Sequence, residues 1–496
     1  MTRWLPSASL ASAIIILGGC TPQTPRGILP PAVTQALQRD VGRRVVLQAF
    51  DTRGNRIDWS AFRKLEEGSQ GDNGINDALN DPPTLLVTQI APLYSSTGGG
   101  SGDPALTLPA SGVAALSLAW PTSEGYSTFI IDLPHSAGTY DFDELAAAQV
   151  LRDVAASLNA RSWYRAGKKV AALYAAAKND YAQALRAKSA AQAGALSARS
   201  LDAGVNAETL LLADAGVAYA AGHANAMDWG ATFDTITGGV AGLRVASDLY
   251  PKDGWLRICF DPGEKPAYYA AEIKHAHSLG LRIVGQILDS SEMRHWSVAA
   301  FERRTREYVD ALPDVDEWET GNEVNGNWLG STRSVVAKTR YASEYVKTHT
   351  RARVLVTLYW QLGEGRAVNA IFNWAKANMA GIAPYVDDIG VSLYPRQNPM
   401  GEPFDRVVAA LHAAFPQQRI MITELDYDRG PGWWWGSLAS IVPHGRDAVA
   451  ALYQSAIMGY PYSGGGTFWW YFVEEVSRGN SLYRTLKSVY HSAHRP

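Results

Sequence analysis

Two carboxylic acids offer the most specific chemistry in this chain. Glu323 closes the stretch Trp318-Glu319-Thr320-Gly321-Asn322-Glu323, and Glu424 closes Ile420-Met421-Ile422-Thr423-Glu424. Each follows an apolar run with strand character. The positions differ by 424 − 323 = 101, so only folding brings them together. Two carboxyl groups facing each other across a cleft can cleave a glycosidic bond, one protonating the departing oxygen while the other attacks or activates water. The plainer reading makes Glu323 a surface-loop acid and Glu424 an acid that precedes a helix.

Elements able to position such a pair run from about residue 223 to 496. Strands are expected at Trp255–Phe260, Leu281–Leu288, Val315–Gly321, Arg353–Tyr359, Val386–Tyr394, Arg419–Leu425 and Thr467–Phe472, with helical patterns between them and a closing helix over Leu482–His491. A first strand near Trp229–Ile236 completes eight. Alternating strands and helices imply parallel strands joined by right-handed crossovers, and eight such units close a (β/α)8 TIM barrel. No phosphate-cradling glycine pattern opens a helix, which argues against the doubly wound alternative.

Catalytic residues of such a barrel sit at the C-terminal ends of its strands, where Glu323 and Glu424 both fall. Ile420, Ile422 and Glu424 share one strand face, so Glu424 tops the barrel if that face lines the interior. Asp289, Trp328 and Trp360 also end or follow strands and are candidate substrate contacts. Trp433, Trp434 and Trp435 stand together in a loop flanked by Gly and Pro. Three consecutive indoles cannot share one buried face, so Trp434 or a neighbour is expected to line the cleft, against the alternative of a hydrophobic plug.

The order and position of these motifs resemble clan A of the retaining glycoside hydrolases over roughly residues 225–496. An Asn-Glu pair ends strand four and a Glu ends strand seven, and Trp-Glu-Thr-Gly-Asn-Glu-Val-Asn is close to that clan's Trp-Glu-x-x-Asn-Glu-Pro-Asn. Val324 stands where proline is common, which changes loop stiffness rather than chemistry. The resemblance implies that Glu323 is the acid/base and Glu424 the nucleophile. It implies that Asn322 bonds a sugar 2-hydroxyl, that Arg257 keeps Glu424 ionised, and that Tyr394 donates to it. It also places Trp469 or Trp470 under the sugar ring; only one of the two can face inward. Without the resemblance, Arg257 is equally an ion-pair partner of Asp261, and Tyr394, before Pro395, a packing residue.

The rest of the chain reads differently. Arg3 is the only charge in the first nineteen residues, and the apolar core Leu10–Leu17 runs into Leu17-Gly18-Gly19-Cys20, a pattern similar to the bacterial lipobox. Residues 1–19 are then a signal peptide, Cys20 the lipidated residue, and residues 20–39 a Pro-rich tether. Thr21 rather than Asp after the cysteine points to the outer membrane. Residues 40–140 read as a β-rich, sandwich-like domain, with strands expected at Arg44–Phe50, Thr84–Ile90, Val113–Ala119 and Ser127–Leu133. Residues 141–222 turn Ala-rich and helical. Asp141-Phe142-Asp143-Glu144 starts a helix through Ala160, and a longer one is expected from Arg165 to about Ser200.

Composition excludes several classes. The formal charge of −3 becomes −4 without Arg3, and no basic stripe is present, so no nucleic-acid partner is expected. The remaining cysteine, Cys259, lies in an apolar run and has no disulfide partner once Cys20 is lipidated. No His pair has zinc-site spacing, and no Gly-x-Ser-x-Gly turn offers a serine nucleophile. No metal or other cofactor is called for, because two carboxylates suffice. The 16 Trp and 23 Tyr suit sugar rings, which have apolar faces edged by hydroxyls. The expectation is an exported, lipid-anchored glycosidase acting on a polysaccharide or oligosaccharide, with endo cleavage favoured by its Trp-rich loops. The alternatives are a non-catalytic carbohydrate-binding or polysaccharide-secretion scaffold and a transglycosylase using the same two Glu.

Overall fold

The computed structural model describes residues 42–67, 77–90, 102–110, 112–123, 125–223, 227–233, 239–252, 254–363, 366–395, 398–427 and 445–495. Cys20, the expected signal and tether, and Trp433–Trp435 lie outside the described residues. The described residues belong to one compact unit.

Its centre is a closed barrel of eight parallel strands: β1 Asp228–Phe233, β2 Gly254–Cys259, β3 Arg282–Gln286, β4 Glu317–Gly321, β5 Arg353–Tyr359, β6 Asp388–Leu393, β7 Arg419–Leu425 and β8 Ser463–Trp469. The parallel ladder runs β1 to β8 in chain order and closes by β8 pairing with β1. The interior is filled in layers. Arg353 and Arg419 pair with Asp228, Glu317 and Asp388 at the N-terminal ends of the strands. Above them Trp255, Val284, Leu355, Met421 and Phe468 form an apolar cluster separate from the main core. The next inward residues, Arg257, Glu319, Thr357 and Thr423, are polar and buried. A barrel packed this way is a solid core, leaving chemistry to its rim.

Two expectations about the barrel are corrected. On β7 the interior face carries Met421 and Thr423, whose hydroxyl meets that of Thr357 at 2.9 Å, while Ile420 and Ile422 pack in the outer core. Simple alternation would therefore turn Glu424 outward with Ile422. The pairing slips instead: Val391 faces Ile422, but the next residue, Ser392, faces Glu424. Thr423 is the extra residue of a bulge, and the bulge swings Glu424 back to the interior. On β8 the strand begins at Ser463, four residues before the expected Thr467, and Phe472 starts the short helix Phe472–Glu475. Glycine hides this strand. A Cβ on Gly466 would lie 2.3 Å from the Ile422 carbonyl oxygen, and its φ is +97°, so no other residue fits there.

Residues before the barrel form two four-stranded sheets. In one, Arg43–Phe50 pairs antiparallel with Arg56–Ile57 and Ala105–Leu108 and parallel with Gly138–Asp141. The other runs Val87–Ile90, Ala78–Asn80, Ala115–Thr122, Gly125–Asp132, all antiparallel. The strand expected from Thr84 starts only at Val87, because the Thr84 and Leu85 amides turn back onto the Asp81 carbonyl. Helix Trp59–Glu67 adds Phe62 to an aromatic cluster with Trp120 and Phe142.

Helix Phe142–Ala160 begins where Asp141 accepts hydrogen bonds from the amides of Asp143 and Glu144. The single long helix expected from Arg165 is two helices, Lys168–Ala184 and Ala190–His223. Ser189 explains the break, since its hydroxyl accepts from the Gln192 amide and opens the new helix. The last of these helices packs on the barrel helix Gly445–Ala456. The approach is so close that a Cβ on Gly216 would sit 1.8 Å from the Ser455 carbonyl oxygen.

Candidate active site

The inward side chains of β2 and β4 meet first. Arg257 is fully buried; its Nε donates to Glu319 at 2.7 Å and its Nη2 to Glu424 at 2.9 Å. Burial works against the guanidinium's charge, but Glu319 and then Glu424 outweigh that and hold the charge in place. Glu319 in turn accepts from Thr357 Oγ1 at 2.5 Å. Arg257 is thus committed to Glu319 and Glu424, with no bond to Asp261. Cys259 faces the same guanidinium at 4.0 Å, and burial pushes its thiol well up, which keeps it protonated and unreactive.

Glu424 is 3 % exposed and gripped by three donors. One oxygen accepts from Arg257 and, at 3.3 Å, from Asn322 Nδ2; the other accepts from the Tyr394 hydroxyl. Burial pushes its carboxyl up to about 7, with Arg257 and Tyr394 pulling the other way. Burial and the neighbouring Glu424 also push the Tyr394 phenol well up, so it stays a donor.

Glu323 stands one residue beyond Asn322, 6 % exposed, with φ at +49°. A non-glycine residue in the left-handed region is strained, and such strain clusters at functional sites. Its two oxygens accept from Ser290 and Ser392, each at 2.7 Å. Burial, and then the charge of Glu424, push this carboxyl well above the usual carboxylate range, and the two hydroxyls offset only part of that. Ser392 ties the acids together: its hydroxyl binds Glu323, and it is the residue paired across the ladder with Glu424. Of the two, Glu424 faces the cation and ionises first, while Glu323 keeps its proton. A neutral acid beside an anionic carboxylate can protonate one atom of a bound molecule while attacking its neighbour.

The other candidates separate by environment. Asn322 receives the Ser290 amide on its oxygen at 3.1 Å, which aims its NH2 toward Glu424. Asp289 is half-buried at the rim, one oxygen holding Ser291, and its charge raises both Glu323 and Glu424. Trp328 donates its indole N–H to Ser290 at 3.1 Å. Trp470 is half-buried, with the Arg257 guanidinium 5.3 Å over its ring, so it is the member of the Trp469–Trp470 pair at the site. Trp469 is 1 % exposed in the main core and bonded to Glu475. Trp360 is also core, 2 % exposed, its N–H directed to the Pro399 carbonyl.

Sequence reasoning missed three members. Glu319 had a signal in its spacing, two residues after Glu317 on the inward face of β4. Ser290 and Ser392 follow and end strands but have residue types too common to single out. Among the described residues no group of His, Cys, Asp or Glu is arranged to hold a metal ion.

No family model matches the chain, and no curated protein matches it. Solved structures similar to it include the catalytic core of a xylanase A, 15 % identical, covering 54 % of this chain and 99 % of that one at a TM-score of 0.40. A GH113 β-1,4-mannanase is 13 % identical, with coverages of 53 % and 97 % and a TM-score of 0.37. One structure from a study of two fungal β-1,4-galactanases is 13 % identical, with coverages of 53 % and 98 % and a TM-score of 0.36. At these identities and scores the likeness carries no argument about activity, which rests on the site itself.

Proposed function

We propose that this protein is a retaining, endo-acting glycoside hydrolase of polysaccharides or oligosaccharides, working by double displacement. The observation that carries this reading is the pairing of Glu323 and Glu424 in one buried site with opposite surroundings: two neutral hydroxyls around the first, a guanidinium and a phenol around the second. In the first step Glu424 attacks the anomeric carbon while Glu323 gives its proton to the departing oxygen. In the second, Glu323, now a base, takes a proton from water, which displaces the Glu424 ester.

The surroundings fit these roles. A nucleophile must be anionic yet able to form and release an ester, and three donors hold Glu424 in one orientation. Asn322, whose NH2 is 3.3 Å from Glu424, is the donor this reading assigns to a sugar 2-hydroxyl. Trp470 supplies an apolar ring face beside Arg257. The two carboxylates need no cofactor.

The test is digestion of a polysaccharide panel with reducing-end detection, followed by NMR of the first-formed anomer. New reducing ends with retained configuration are expected. Inverted product refutes double displacement, and no turnover on any glycan leaves a binding protein. A dominant transfer product at high acceptor concentration would instead make it a transglycosylase.

Export and lipid anchoring through Cys20 complete the reading. They rest on Leu17-Gly18-Gly19-Cys20, and mass spectrometry of the mature N-terminus tests them. No helix among the described residues is long and apolar enough to cross a membrane.

A further inference from the structure

A second cavity of about 460 Å³ opens where the turn after helix Phe142–Ala160 meets barrel residues 402–409 and the loop before β8. It shares no lining residue with the site around Glu323 and Glu424. Its volume lies within the usual range of small-molecule pockets, about 300–1,000 Å³.

Aromatic rings enter from both sides. Trp163 and Tyr219, 5.4 Å apart, come from the helical segment, and Tyr460 and Tyr462, 5.5 Å apart, from the loop before β8. Tyr462 stacks on the parallel ring of His412 at 3.8 Å and Tyr219 on that of His223 at 4.1 Å, which fixes both rings in place. Trp163 is 48 % exposed, unusual for an indole.

The polar groups are balanced in charge. Arg161 pairs with Asp405 at 2.7 Å and Arg406 with Asp153 at 3.5 Å, so the ion pairs cancel. Glu402 remains. It is 2 % exposed, and its carboxyl meets that of Asp153. Burial and then Asp153 push its carboxyl well up, leaving a neutral acid that donates to Asp153 and keeps an oxygen free to accept. The buried Arg161 Nε has no hydrogen-bond partner among the described residues. A buried donor left unsatisfied is costly, and a ligand's hydroxyl would satisfy it.

We propose that this cavity is a second saccharide site, holding one or two neutral sugar units between the aromatic walls, with hydroxyls directed to Glu402 and Arg161. Stacking faces combined with donors and acceptors of no net charge match a neutral sugar better than a phosphate or a cation. The inference goes beyond the hydrolytic reading, and the two can fail separately.

The test uses the full chain carrying Glu424→Ala, which binds without turnover. It is titrated calorimetrically with cello-, manno-, xylo- and galacto-hexaoses, and separately with tetramethylammonium. At least one hexasaccharide should show a binding event that Trp163→Ala weakens about tenfold or more and Trp163→Phe retains. Trp163 is largely exposed, so its variants should fold, which a thermal melt checks. In the otherwise unmodified enzyme, Trp163→Ala should leave hydrolysis of a short aryl glycoside unchanged. Trp163-dependent binding without any hydrolysis would sink the hydrolytic reading and keep this one. Sugar binding indifferent to Trp163, no sugar binding, or Trp163-dependent binding of tetramethylammonium alone would overturn it.

Discussion

Replacing Tyr394 by Phe tests the site at its most sensitive point. The substitution keeps the ring and removes one hydroxyl, the donor to Glu424 Oε1. Glu424 sits at about 7 because burial pushes it up while Arg257 and Tyr394 pull it down. A hydrogen bond to a charged group contributes about 1.5–3 kcal/mol, and one pKa unit corresponds to about 1.36 kcal/mol. Losing the bond therefore raises the carboxyl by about one to two units. The nucleophile must be ionised, so activity is lost as pH falls through this value. The acidic limb of kcat/KM should move from near pH 7 toward about 8–9.

The assay is kcat/KM against pH on an aryl glycoside of whichever sugar the panel identifies, with a thermal melt to show that the variant is folded. Below the limb the variant should be about 10–100-fold slower, the same one to two units expressed as rate. Glu323 must still be protonated to act as the acid, so the window between the two limbs narrows and the maximum falls. The limbs belong to the coupled pair, but the direction of movement is unambiguous. An acidic limb that stays put in a folded variant, or moves down, would refute the assignment of Glu424 as the ionised partner.

Glu319→Gln should move the same limb the opposite way, because Glu319 raises Glu424 and competes for Arg257; the same pH profile checks it. Glu323→Gln should cost about 10²–10⁴ in kcat on substrates with poor leaving groups and far less on a dinitrophenyl glycoside, with azide forming a glycosyl azide; a flat leaving-group dependence would argue against its acid role. Away from the site, burial pushes Glu208 up to about 8, while its unfolded value is near 4.5. The folded state therefore holds the proton more tightly. This stability is fully present below about pH 4.5 and is lost as pH rises through about 8. Glu208→Gln should flatten the fall of Tm between pH 5 and 8, as followed by scanning calorimetry.

The barrel was legible because its signal is redundant. Seven strand-like runs spaced between helical patterns survive an error of a few residues at any boundary, and both acids fall at strand ends whichever residue ends the strand. Features set by backbone register were not legible. Gly464-Gly465-Gly466 carries no strand propensity, yet β8 runs through it because Gly465 and Gly466 lie against the backbones of Asp228 and Ile422. Alternation put Glu424 on the face of Ile420 and Ile422, and only the bulge at Thr423 restores it to the interior. Ser290 and Ser392 were invisible for a different reason. A hydroxyl gains its role from the carboxylate it meets, and that meeting is a tertiary event between β3, β4 and β6.

Both acids depend on local departures from regular geometry, and the departures do complementary work. Were β7 regular, Glu424 would follow Ile422 into the outer core, an anion among apolar side chains with no cation in reach. The extra residue at Thr423 delivers it instead to Arg257, the one guanidinium at the site among the described residues. Were the chain after β4 to continue with ordinary dihedrals, Glu323 would not be turned back between Ser290 and Ser392; its φ of +49° achieves this. The left-handed conformation at Glu323 costs on the order of 1–3 kcal/mol in the folded state, a substantial share of the margin by which a protein is stable. What they achieve together is a difference between two chemically identical side chains, one held beside a cation and the other beside neutral hydroxyls. That difference lets one carboxyl give up its proton while the other keeps it at the same pH.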